Sequence, residues 1–372
     1  MQRIKILFTI PNFVTAGSGR EMINIVERLN PEMFESTICI KKSGGNIEQE
    51  LRQKEYKILI ANFESGAGNF FIKLFHIIKR GIHFRKYGFD LWHSFNWSSD
   101  FTEPVLARIA GAKFLYTKKN MNWDRRAWII KSFLSTHIVA RNQSMMDRFF
   151  SPHRYWNKVT YIPGGVNVDI FNKSTSVGFY RNKYLIHEDT FVVTCVAQVV
   201  PIKGQHLLLD AIRQIPDTVV FIAGAERNSE YLAHLSVFID NHDLSERVFF
   251  LGQVRDVAGL LNETSAFVLP TTRLMGHEEG CPVALLEAMA SGVPCIASNV
   301  AGNIDLIKHS INGYLFEADE APDLMNAILM MKNNYSLAKE LGRQAAKDVK
   351  AFYTLDIEAK RFEEVYKKVI AA

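Results

Sequence analysis

Residues Ala266–Ser298 read AFVLPTTRLMGHEEGCPVALLEAMASGVPCIAS. A short apolar run closes at Pro270, a polar loop follows, and from Pro282 apolar residues crowd together until Gly292 and Pro294 stop them. A proline in the first turn, with glycine and then proline past the last, marks the start and stop of a helix. A second short apolar run, PCIAS, resumes at once. Strand, loop, helix, strand is the repeating unit of a parallel sheet wrapped by helices.

The same grammar extends in both directions. FVVTCVAQ, TVVFIAG and RVFFLG precede the quoted stretch, each followed by a turn and a helical segment. In the first half RIKILFTI leads into PNFVTAGSGREMINIVERLN, where a Gly-rich turn opens a helix with Ile23, Val26 and Leu29 at helical spacing. STICI, YKILIAN, DLWHSF, KFLYT and THIVAR continue the series up to VTYIPGGVNVDIF. At 372 residues the chain is too long for one ordinary core. Two doubly wound α/β domains are expected, with functional residues on the loops after the strands and a cleft between the domains.

Composition narrows the class. With 48% hydrophobic and 22% charged residues and no apolar run of 18 or so, the chain reads as globular and not membrane-spanning. The N-terminus MQRIKILFTIPN lacks the apolar length of a cleavable signal, which points to the cytosol. Cys39, Cys195, Cys281 and Cys295 show no metal-ligand or disulfide spacing, so no metal is expected. Residues 1–165 carry 25 Lys and Arg against 13 Asp and Glu, and the remainder 19 against 26. The basic first half suits an anionic partner. Within it, residues 69–89 hold five Lys and Arg and no acid, interleaved with Phe70, Phe71, Leu74, Phe75, Ile78 and Ile82; Lys113 and Lys118 would extend the basic face. That is the composition of an interfacial helix on anionic lipid.

Three loops of the second half invite a phosphorylated ligand. Lys203 and Gly204 stand just before a helix, whose start offers free amides. Gly224 ends a strand where a backbone could be approached closely. Glu279 and Glu287 bracket the start of the quoted helix, roughly 8 to 12 Å apart along its axis. That spacing suits a sugar and the ribose of one nucleotide-diphosphate sugar. Glu287 is flanked by Leu285, Leu286, Ala288 and Met289, so an acid on a buried helix face needs a partner.

EGCPVALLEAMASGVPCIAS closely resembles the Glu-x7-Glu donor signature of the family 4 (group 1) retaining glycosyltransferases of GT-B fold. GSGREMINIVERL is similar to the Gly-rich loop of that family, FDLWHSF to its strand before the cleft, YIPGGVNVDIF to its interdomain segment and VPIKG to its phosphate lysine. The resemblance implies two Rossmann-like domains: residues 1–165, completed by the C-terminal helix 352–372, for the acceptor, and 166–351 for the donor. It implies Glu279 on the donor sugar, with Gly280, Cys281 and Pro282 lending the loop and its amides. It also implies Glu287 on the ribose, Lys203 on the diphosphate, and Gly17 and Gly19 admitting the phosphates. His93 matches the first histidine of a family His-x-His segment and is expected at the catalytic centre; Phe95 replaces the second. Gln198 stands where many members carry an arginine, and Arg273 is a candidate for the missing charge.

The implied reaction is retaining transfer from a nucleotide-diphosphate sugar, a UDP-sugar in the first instance, to a glycan or lipid-linked acceptor in cell-surface glycan assembly. The implied enzyme needs no metal or other cofactor and binds no nucleic acid. It would be cytoplasmic, peripheral on the inner face of the membrane. The rivals are a nucleotide-sugar epimerase of related fold and a non-catalytic carbohydrate-binding protein. A dinucleotide oxidoreductase fits poorly, since GSGRE lacks the full GxGxxG run.

Overall fold

The structure, a computed structural model, describes residues 3–13, 16–65, 69–123, 126–153, 155–171, 178–273 and 278–372. The chain divides into two compact units, Met1–Gly164 with Leu355–Ala372, and Gly165–Thr354.

Among the described residues the first unit carries seven strands: β1 Ile4–Ile10, β2 Phe34–Ile40, β3 Ile58–Ile60, β4 Leu91–Ser94, β5 Lys113–Lys118, β6 His137–Ala140 and β7 Val159–Tyr161. They lie in the order β3-β2-β1-β4-β5-β6-β7, every neighbouring pair parallel. Parallel strands are covered on both faces, which is why these runs are nearly continuous in apolar residues. Ile6, Phe8, Leu91, Leu115 and Val139 are fully buried, and the C-terminal helix Leu355–Ala371 adds Phe362 and Tyr366 to the same core.

The second unit holds β8 Phe191–Val196, β9 Thr218–Ala223, β10 Val248–Gly252, β11 Ala266–Leu269, β12 Cys295–Ser298 and β13 Tyr314–Phe316. Their order is β10-β9-β8-β11-β12-β13, again all parallel. The doubly wound α/β expectation holds in each unit. Two strands escaped it: β7, inside the segment read as a connection, and β13, which is three residues long.

Strand order fixes where ligands go. In each sheet the winding reverses beside the first strand of the unit, between β1 and β4 and between β8 and β11. Loops leaving the carboxyl ends of those strands diverge to opposite faces and leave a crevice at the reversal. The loops after β8 and β11 are the ones that carry Lys203 and Glu279.

Candidate active site

The two loops at the reversal of the second sheet are held against each other by backbone geometry. Gly204 has φ +68, and a Cβ there would lie 1.8 Å from the Pro270 carbonyl oxygen at the end of β11. Only glycine permits that approach. Thr272 N donates to the Ile202 carbonyl at 2.9 Å, fastening the second loop to the first. Lys203, closing the short 3-10 turn Pro201–Lys203, is thereby brought onto Glu279. Its ammonium pairs with Glu279 Oε1, which also accepts from Thr271 Oγ1 at 2.9 Å. Thr271 is fixed in turn by Ser298 Oγ, at the end of β12, donating to its carbonyl at 2.6 Å.

Gly280 is buried and Cys281 half-buried; Pro282 caps the helix Val283–Ala290. Leu285, Leu286, Ala288, Met289 and Ala290 bury that helix. Glu287 is only partly exposed on it, and its carboxylate has no partner among the described residues. Burial alone pushes its pKa up to about 7. Gln205, fully buried at the start of the helix after Lys203, donates to the Gln198 carbonyl at 2.9 Å, while its own Oε1 has no hydrogen-bond partner among the described residues. The structure therefore brings Lys203, Glu279, Gly280, Cys281, Pro282 and Gln198 onto adjoining loops, with Glu287 inside the helix that follows.

Other expected residues are placed differently. His93 is inside β4 and fully buried, with Nδ1 2.7 Å from Tyr366 Oη and Nε2 2.8 Å from Thr117 Oγ1. Burial, with Lys119 and Arg141 close by, holds its pKa well below the ordinary histidine range. A neutral ring with both nitrogens committed to the core is a packing residue, which corrects the catalytic expectation. Arg273 donates to Glu317 Oε1 at 2.7 Å and Asn299 Oδ1 at 2.8 Å, so it does not supply the charge absent at Gln198. The space beside Gly224 is filled by the chain itself, since a Cβ there would lie 1.8 Å from the Ala197 carbonyl oxygen. That close approach of the neighbouring strand end is what requires a glycine there. Residues 274–277, at the centre of the loop after β11, lie outside the described residues.

In the first unit Gly17 and Gly19 lie in the first turns of the helix Ala16–Val26. Gly17 is exposed, with nothing within 4 Å of a Cβ, whereas a Cβ at Gly19 would press on Phe13 at 2.9 Å. Just beyond, the carboxyl edge of the sheet holds an ionic cluster that the sequence reading missed. Arg141 Nη2 lies 2.7 Å from Glu358 Oε1 and 3.2 Å from Glu21 Oε1, and Lys119 Nζ lies 3.4 Å from Glu21 Oε2. Burial pulls Lys119 down to about 8 against the pull of Glu21. Its ammonium also stands 4.2 Å over the Phe95 ring. The twin lysines closing β5 were the available signal. Lys118 is fully buried 3.8 Å over the Trp128 ring, and Lys113 donates to the Val369 carbonyl, so neither extends an exposed basic face. Among the described residues no group of three or more His, Cys, Asp or Glu stands close enough to hold a metal ion.

Comparison with known proteins gives a consistent picture. Residues 177–348 match the family model described as glycosyl transferases group 1. The chain is 30% identical over 348 residues to the Escherichia coli UDP-Gal:alpha-D-GlcNAc-diphosphoundecaprenol alpha-1,3-galactosyltransferase, spanning 86% of this chain and 85% of that one. Among solved structures, a glycosyltransferase from Rickettsia africae superposes with a TM-score of 0.85 at 19% identity, over 100% of this chain and 99% of that one. Anabaena HepE in complex with UDP and glucose gives 0.85 at 18% identity, over 98% and 100%. These two likenesses bear on the fold.

Proposed function

The chain belongs to the group 1 glycosyl transferases and has their GT-B fold, and from that premise we propose that it transfers a sugar, with retention, from a UDP-sugar to a hydroxyl of a diphosphate-linked isoprenoid acceptor in cell-surface glycan assembly. The epimerase and non-catalytic readings are not favoured by this membership. Support for the donor and acceptor classes comes from the E. coli relative, whose name gives UDP-galactose and a diphosphoundecaprenol acceptor.

The observation that carries the reading is one cation and two carboxylates at the reversal of the second sheet. Lys203 and Glu279 neutralise each other, and Glu287 has no partner among the described residues. A diphosphate competes with Glu279 for the Lys203 ammonium, and winning it frees the Glu279 carboxylate to accept from hydroxyls of the transferred sugar. Glu287 accepts from the ribose. As the bond between the anomeric carbon and the phosphate oxygen breaks, charge grows on the departing diphosphate, and a fixed ammonium there lowers the barrier. The acceptor oxygen attacks from the same face and passes its proton to the leaving phosphate. The chain's own part is positioning and charge stabilisation. No metal is assigned to the step.

An anionic membrane surface is the partner we assign to the helix Phe70–Arg85. Gly81 lies against Ile109 of the helix Thr102–Ala110, and Phe84 is buried, so that side faces the protein. The opposite side repeats Phe71, Phe75, Ile78 and Ile82 at helical spacing, and these are 78%, 63%, 44% and 54% exposed. Lys79, Arg85 and Lys86 are exposed along the helix. The Phe70 side chain lies outside the described residues. Among them no helix is long and apolar enough to cross a membrane. An apolar stripe edged with cations lies in the interface of anionic lipid.

The donor assignment is tested with Lys203→Ala and Glu279→Ala, using calorimetric affinity for UDP and single-turnover rates. Lys203→Ala weakens UDP binding and slows transfer. Glu279→Ala keeps or raises UDP affinity, since it frees Lys203 for the diphosphate, and slows transfer by roughly 10- to 100-fold, the worth of about 1.5–3 kcal/mol in charge-assisted hydrogen bonds. Loss of UDP affinity in Glu279→Ala with an unchanged rate overturns the assignment.

A further inference from the structure

Beside the exposed apolar stripe of the helix Phe70–Arg85 lies a cavity of about 490 Å³, walled by Leu74 and Ile77 of that helix, Phe101, and Ala127 of the helix Arg126–Leu134. Asp100 and Ser98, which line it, are already paired within the protein. Asp100 accepts from Ser65 Oγ and from Thr102 N, both at 2.6 Å. Ser98 Oγ accepts from Asp100 N at 3.1 Å, and the Ser98 carbonyl accepts from Lys131 Nζ at 2.9 Å. What the wall offers a ligand is therefore mainly hydrocarbon. At roughly 30 Å³ for a group the size of water or a methylene, the space holds on the order of fifteen carbons.

Its position connects two features. On one side Leu74 stands a turn from Phe71 and Ile78, and Ala127 a turn from Ile130, which with Phe133 gives the second helix its own exposed apolar pair, 41% and 71%. On the other side the wall is the segment Ser98–Thr102, which follows β4 at the carboxyl edge of the first sheet, beside the reversal of its winding. The cavity thus runs from a surface suited to lipid towards the edge where an α/β sheet places its ligands.

We propose that this cavity takes the isoprenoid chain of the acceptor, so that the lipid is held by its first carbons and its diphosphate emerges at the sheet edge. The inference rests on the lipid-linked acceptor reading given above. A bulk phospholipid has no reason to bring its head group to that edge, whereas an acceptor must. Lys73, in the same wall, offers a cation to the phosphate that follows the chain.

The test uses the full chain on phosphatidylglycerol vesicles carrying either a polyprenyl phosphate or a phosphatidylglycerol with a photoreactive diazirine on its chain. Cross-linked residues are mapped by mass spectrometry, and vesicle binding is read in parallel by co-sedimentation. The polyprenyl probe labels Leu74, Ile77, Phe101 or Ala127. Ala127→Trp, which fills the space, lowers that yield by roughly tenfold, the loss expected from burying about two fewer methylenes. Vesicle binding is retained. Leu74→Gln, at a partly exposed position that tolerates a polar side chain, gives the same result should the tryptophan disturb folding. Equal labelling of these residues by the phosphatidylglycerol probe overturns the acceptor assignment. Labelling confined to Phe71, Phe75, Ile78 and Ile82 overturns the cavity while leaving membrane docking intact. Failure to bind vesicles at all overturns the membrane reading and the inference together.

Discussion

Replacing Glu287 with glutamine should stabilise the protein and weaken it as an enzyme, and the stabilisation should depend on pH. The carboxyl is raised from an ordinary 4.5 to about 7 by burial, with no opposing partner. Between those two values the folded protein holds a proton that the unfolded chain has lost. Stability therefore falls as pH rises through that window and levels off above 7. At about 1.4 kcal/mol for each tenfold, the full displacement corresponds to about 3 kcal/mol, an upper figure because the side chain keeps some contact with water. Glu287→Gln removes the titration while keeping the shape. In the second unit, Gly165–Thr354, that amounts to a rise in Tm of roughly 5–10 °C at pH 8 and about a quarter of that at pH 5. Thermal unfolding of wild type and variant across pH 5 to 8 reads it directly. On the proposed assignment of Glu287 to the ribose, UDP should reverse the sign: the hydroxyls would donate to the charged carboxylate, so UDP binds the wild type more tightly above pH 7 and releases a proton on binding below it. Calorimetry in buffers of different ionisation enthalpy detects that proton. A Tm difference independent of pH, or UDP affinity equal in variant and wild type at pH 8, refutes the reasoning.

His93→Phe should lower Tm while leaving kcat and KM unchanged, because it strands the buried Tyr366 and Thr117 hydroxyls at about 1–3 kcal/mol each; lost turnover at unchanged Tm would restore a catalytic role. Replacing Lys79, Arg85 and Lys86 with glutamine should weaken binding to anionic vesicles by roughly a hundredfold at about 1 kcal/mol per cation, with a steep dependence on salt in the wild type. Arg80 is omitted because it donates to the Glu64 carbonyl at 2.6 Å, and equal binding of the wild type to neutral vesicles would defeat this prediction.

Local grammar carried the fold a long way. A short apolar run, a turn and a helix with proline at its start and glycine past its end specify their own geometry, and Ala266–Ser298 forms β11, the helix Val283–Ala290 and β12 in that order. What escaped was decided by distant partners. β7 and β13 are strands because β6 and β12 lie beside them, and three residues of either give no period to read. Lys118 and Lys119 look alike in sequence, two cations at a strand end. One is enclosed by Trp128 and hydrogen bonds to Asn120 and Asn122, and the other by Glu21 and Phe95.

The same distinction runs through the candidate site residues. The meeting of Lys203 with Glu279 was legible because each sits on a loop after a strand, and the reversal between β8 and β11 brings those two loops together however far apart they lie along the chain. His93 was misread because a histidine in a strand and a histidine at its end differ by a residue or two, while the consequence differs completely: inside the sheet, both nitrogens are claimed by Tyr366 and Thr117. Arg273 lies on the same loop as Glu279, yet acids just past β13, Glu317 and Asp319, claim its side chain and its amide. A buried polar group must be satisfied by something. Where the chain supplies every partner the residue belongs to the fold; where the described residues supply none, as for Glu287, water or a ligand must, and the pH dependence worked out above tells the two apart.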